Sequence, residues 1–185
     1  MATTKTTRLT NRLSGVLPDA RKAKGRPVMV QDSEELATGE LDASDVVLYD
    51  ILVPSNGIHE SVRIYNDDLD SNACPTLAID IGLFAAEEFT SVTSGTATKH
   101  VADDVLDADI LVDGSAEAQS ANTDWVRLVP DSATFGPEDA GKAYWEILGY
   151  DSDPKTNFRV GVTMATGAAT AAAGDLALMV VYTVD

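Results

Sequence analysis

The chain has 185 residues, with 13 Lys or Arg against 30 Asp or Glu, a formal charge of -17 and 44% hydrophobic residues. That length and apolar content suit one domain of ordinary size with appendages, and a strongly acidic surface. No run reaches the roughly 18 consecutive apolar residues of a membrane span, and the first residues lack an apolar stretch of signal-peptide length, so neither a membrane nor a secretory route is expected. A single cysteine, Cys74, excludes an internal disulfide and any multi-cysteine metal centre, and two histidines leave little imidazole chemistry.

Charge divides the chain. Lys5, Arg8, Arg12, Arg21, Lys22, Lys24 and Arg26 face a single acid, Asp19, in residues 1–26. This arm carries about +6 by side-chain count, which leaves -23 of the overall -17 to the remainder. The boundary falls at Gly25-Arg26-Pro27, giving a basic arm over 1–27 and an acidic body over 28–185. Leu9, Leu13, Val16 and Leu17 form a short apolar stripe of helical period, too short to be stable alone in water. Three roles are open: a tail that stays free or lies on its own acidic body, a latch onto a neighbour, or a nucleic-acid contact. The third is disfavoured because the body would be repelled by phosphates and the arm has no aromatic side chain for stacking.

The body reads as strands. Residues 45–53 (DVVLYDILV) are β-branched and aromatic-rich, and 54–57 (PSNG) has turn chemistry, so 58–65 is expected to return beside them as a hairpin with Ile58, Val62 and Ile64 on one face. An acidic loop over 66–75 follows. In 76–84, Leu77, Ile79, Ile81 and Leu83 alternate strictly with Thr76, Ala78, Asp80 and Gly82, the pattern of a half-buried strand. Segment 87–124 has no clear period. Strand 125–130 ends at Pro130, and 137–148 reads as a helix with Pro137, Glu138 and Asp139 in its first turn, an apolar face of Ala140, Ala143, Tyr144, Ile147 and Leu148, and Gly149 as its stop. Residues 158–164 and 175–184 alternate and are expected to pair antiparallel across 165–174, a small-sided tip. The sum is a mainly β fold, an antiparallel sandwich or barrel of jelly-roll type, with one or two short helices and an extended basic arm.

Chemical signatures are sparse. Asn66, Asp67, Asp68, Asp70 and Asn72 place five oxygen-bearing side chains in seven positions, resembling half of a calcium loop without its terminal glutamate and glycine; a solvated acidic turn needs no ion and is the favoured reading, so no metal or cofactor is assigned. Asp151, Ser152 and Asp153 read as a turn. Asp80 could be catalytic, but a cross-strand pairing with Arg63 or Arg159, or an interface, is simpler. His59, His100 and Cys74 lack triad or ligand spacing, and neither a nucleophile elbow nor a phosphate-cradling loop is present. Trp125, Trp145 and the tyrosines could form a sugar platform, but at helical or strand spacing such side chains are more often core.

Three segments resemble a family: the Ala/Thr-rich stretch leading to the terminal YTVD (182–185), TLAIDIGLF (76–84), and AYWEILGYDSDPKTNFRVGVTM (143–164). The chain over 45–185 is similar to the small accessory head proteins of tailed bacteriophages, the decoration or cement proteins of the capsid exterior. The resemblance implies a β-rich, non-enzymatic virion protein, made in the host cytoplasm, that binds the major capsid protein in many copies and often as a trimer, without nucleic acid or membrane. Arm residues Arg8, Leu9, Arg12, Leu13, Leu17, Arg21, Lys22, Lys24 and Arg26 would then contact the partner. A neck, tail or head-fibre component is the alternative within a virion; a calcium-dependent carbohydrate-binding module, using Asp67, Asp68, Asp70 and Trp125, is the alternative outside it.

Overall fold

The computed structural model describes residues 3–5 (backbone only), 27–128, 139 and 141–184. The predicted arm contacts Arg8, Leu9, Arg12, Leu13, Leu17, Arg21, Lys22, Lys24 and Arg26 lie outside them, as do Pro137, Glu138 and Ala140.

In chain order the described strands are β1 (Thr3–Lys5), β2 (Val28–Leu36), β3 (Val46–Pro54), β4 (Gly57–Asn66), β5 (Ala78–Ala85), β6 (Phe89–Thr93), β7 (Thr96–His100), β8 (Val105–Ser115), β9 (Val126–Leu128), β10 (Asn157–Thr166) and β11 (Gly174–Val184). A single helical turn, α1 (Tyr144–Ile147), lies between β9 and β10. One sheet runs β1-β3-β10-β5-β8 and a second β2-β11-β4-β9, with β6-β7 as a separate hairpin. All ladders are antiparallel except β1 on β3. The fold is therefore the expected mainly β, two-sheet sandwich with few helices.

Alternation explains the core. Leu77, Ile79, Ile81 and Leu83 are fully buried, as their spacing predicts, and they meet Leu176, Leu178, Val180 and Tyr182 of β11 and Val47, Tyr49, Ile51 and Val53 of β3. Each such side chain contributes roughly 1.5–3 kcal/mol when fully buried. The sheets are also tied by polar groups: the Tyr49 hydroxyl donates to the Leu176 carbonyl (2.9 Å), and the Asp50 N–H donates to Asp32 (2.8 Å).

Two expected hairpins do not form. β3 and β4 belong to different sheets, as do β10 and β11. The PSNG segment is instead an arch, held where the Ser55 N–H donates to the Thr156 carbonyl and the Trp145 N–H to that of Ser55. Because each strand has one strongly apolar face, placing consecutive strands in opposing layers lets the two faces bury one another. A shift in the β4–β11 register between Ser61 and His59 turns His59 inward, so Val62 and Ile64 are buried as expected but Ile58 is only half-buried. The helix is also shorter than its pattern suggests: Ala143 is already extended, and the turn ends at Leu148 before Gly149 takes φ +71.

Segment 87–124, unreadable from period, holds the β6–β7 hairpin and β8. Ser94 and Gly95 have positive φ at the tip, as a tight hairpin turn demands. Asp151 receives both of their N–H groups (3.0 and 2.8 Å), so this predicted turn residue caps a second turn. β8 crosses β5 with several register shifts, passing so close to Gly82 that a Cβ there would lie 2.2 Å from the Asp107 carbonyl oxygen.

Candidate functional site

The acidic loop is a structural clasp. Asp70 is only 1% exposed, and its carboxylate accepts backbone N–H bonds from Thr76 (2.7 Å), Leu77 (3.1 Å), Ala169 (3.0 Å) and Thr170 (3.0 Å). Burial pushes this carboxyl up, but the four donors together hold it well below the usual carboxylate range. Asp67 accepts from the Asp175 N–H at 2.9 Å. The loop thereby fastens 165–174, which is not a free tip: Ala168 and Ala172 N–H also donate to the Leu41 and Leu69 carbonyls. Of the candidates for calcium, Asp68 remains exposed, Asp67 and Asp70 carry backbone donors, and among the described residues no group of three or more His, Cys, Asp or Glu is arranged to hold a metal.

Asp80 does not pair with either expected arginine. Arg63 lies in the other sheet, and Arg159 bonds Asp103; Asp80 accepts the Gly114 N–H at 2.8 Å. Burial raises its pKa, the Gly114 bond lowers it, and nearby Asp113 and Asp109 raise it again. His59 is buried with Nδ1 3.3 Å from the Tyr144 hydroxyl, and its pKa is lowered to about 4, chiefly by burial and then by Arg127. His100 stacks on Phe89 at 4.7 Å and bonds Ser91 at 2.9 Å. Cys74 is exposed. Asp80 and His59 hold local geometry, and the His100 ring is set between Phe89 and the Ser91 hydroxyl.

Two features face outward. At one edge, Thr3–Lys5 adds in parallel to β3 in register with Val46–Leu48, so the start of the arm is tied to the body by main-chain bonds. Arm signals in the sequence were charge and helical period, and neither announces a strand. On the second sheet, Trp125 packs against Tyr65 (6.2 Å between rings) and closes a cleft of about 230 Å³ with Gln31, Asp32, Ser33 and Ala177. Trp145, by contrast, sits half-buried on α1. The cleft is smaller than the 300 Å³ or more of ordinary small-molecule sites.

This two-sheet architecture is similar over 100% of its length to 99% of a chain in the "Capsid of Ralstonia phage GP4", with a TM-score of 0.64 and 21% identity. The shared property is the fold. A chain of the "Cyanophage Pam1 capsid asymmetric unit" matches with a TM-score of 0.55 and 19% identity, over 92% of both chains. No protein-family model matches the sequence, and no curated protein does.

Proposed function

We propose that this chain is a non-enzymatic structural protein of a phage virion, bound to the outer surface of the capsid shell, where it bridges neighbouring shell subunits and uses residues 1–27 as a latch. The observation that carries this reading is the full-length likeness of fold to a chain of a phage capsid structure. The chemistry of the described residues supports it: the titratable groups that sequence singles out serve as backbone acceptors or packing elements rather than as a reaction centre.

A shell under outward pressure gains resistance when a clamp must be detached before its subunits separate. Leu9, Leu13, Val16 and Leu17 would each contribute roughly 1.5–3 kcal/mol if fully buried against a shell subunit, enough to offset the ordering of a short segment. Opposite charges on arm and body supply steering and register. The acidic body keeps free copies soluble and away from nucleic acid.

The test is co-sedimentation of the full chain with expanded shells purified without it. Saturable binding at a fixed ratio to the shell protein is expected, lost in the variant L9D/L13D/L17D while its melting temperature is unchanged. Absence of binding by the unaltered chain would overturn the reading, and unchanged binding by the variant would remove the latch.

A further inference from the structure

Arg63 lies directly opposite Arg127 across β4 and β9. Like charges so placed destabilise a sheet. Both side chains are exposed, and among the described residues neither has a carboxylate within ion-pair distance, although the body after residue 26 holds 29 acids and six cations. Lys99, Lys142 and Arg159, in contrast, sit on Glu88, Asp139 and Asp103.

The face around the pair mixes polar and apolar side chains, of which Met179 and Ala177 are themselves buried and Gln31 already takes part in an interaction. Register sets Gln31, Met179, Arg63 and Arg127 in one row across the outer face of this sheet, with Ser33, Ala177, Tyr65 and Trp125 in the next. Met29, 63% exposed, extends the apolar ground beside Val181. Arg, Trp, Tyr and Met are the side chains enriched in protein interfaces.

The occupant must bring carboxylates together with apolar groups. The basic arm is repelled, and nucleic acid is opposed by the charge of the whole body. The outer strand of the other sheet fits: β8 carries Asp107, Asp109 and an exposed Asp113, with Val101 and Val105 each 49% exposed beside them. Asp107 of this strand is raised to about 6, first by burial and then by its hydrogen bond to Asp109, with the Asp109 charge adding to the rise. No ion pair joins β8 to Arg63 or Arg127 within one molecule.

We propose that the Arg63–Arg127 face docks the acidic β8 edge of a second copy of this chain. The contact runs head to tail, because a two-fold contact through this face would set arginines against arginines; repeated with a closing rotation it makes a ring. The inference is independent of any attachment to a capsid.

Sedimentation velocity on the full chain tests it. The unaltered protein is expected to associate at micromolar concentration in 50 mM salt and to weaken at least tenfold in 500 mM. Both R63E/R127E and D109R/D113R are expected to be monomers, and the four changes combined in one chain restore association, because the swapped charges attract again. If the glutamate pair fails to melt cooperatively, R63Q/R127Q replaces it, with dissociation again expected. A monomeric unaltered chain, an associated R63E/R127E, or a folded four-fold variant that stays monomeric each overturns the proposal. Quenching of tryptophan fluorescence by polygalacturonate in a monomeric chain would assign the face to an acidic glycan instead.

Discussion

Replacing Asp70 with alanine removes the acceptor for the Asn72 N–H at 3.4 Å and for four closer backbone donors that come from two segments about a hundred residues apart: Thr76 and Leu77 on one side, Ala169 and Thr170 on the other. Hydrogen bonds to a charged group are worth about 1.5–3 kcal/mol each, and a buried donor left alone costs about 1–3 kcal/mol. These contributions do not add, since 165–174 can loosen and admit water. A net loss of about 3–5 kcal/mol is expected, which in a chain of this size lowers the melting temperature by roughly 10 °C. Because the folded carboxyl is held below its unfolded value of about 3.9, its contribution is present above that pH and disappears only as pH falls through the folded value. Scanning calorimetry of D70A beside the unaltered chain should show a constant difference from pH 8 to 5 that closes below about pH 4. A drop under about 2 °C, or a difference that already shrinks between pH 7 and 5, would refute the clasp.

Calcium at millimolar concentration should leave the melting temperature of the unaltered chain unchanged, because Asp70 and Asp67 are committed to backbone donors; a chelator-reversible rise would restore the calcium-loop reading. Gly82→Ala would place a Cβ 2.2–2.4 Å from the backbone of Asp107 and Ala108 and should cost about 3 kcal/mol or more, whereas Gly39→Ala, with nothing within 4 Å, should be nearly neutral; equal melting temperatures would disprove the close crossing of β8 over β5. The folded pKa of His59, about 4, lies below its unfolded value of about 6.5, so its contribution is full above pH 6.5 and is lost towards pH 4. His59→Gln should therefore flatten the acid limb of stability over that range by up to about 3 kcal/mol, and an unaltered limb would contradict the burial of a neutral imidazole.

Some strands were legible because period two is written into side-chain order: Leu77 to Leu83 and Leu176 to Val184 could be assigned from spacing, whereas β1, β2 and the strands of 87–124 were not, and the sandwich followed from the number of readable runs. Layer membership was not legible. A run with one apolar face satisfies it equally well beside its neighbour or across the core, and the choice at 54–57 was made by Thr156 and Trp145, distant in sequence. The Asp70 clasp was visible as an acidic loop but not as a clasp, since its donors are backbone N–H groups that composition does not reveal. The Arg63–Arg127 pair depends on the β4–β9 register, which no single-strand pattern specifies. His59 faced inward against its own alternation because the register shift at Ser61 is encoded by pairing with β11.

The central claim is a structural role on the capsid exterior, and the direct measurement is quantitative mass spectrometry of gradient-purified virus particles, comparing copies of this chain with copies of the major shell protein. The account predicts a ratio on the order of one copy to one or a few shell subunits, as a surface lattice requires. A handful of copies per particle would place the chain in the neck, tail or fibres, and its absence from the particle would contradict the virion role altogether.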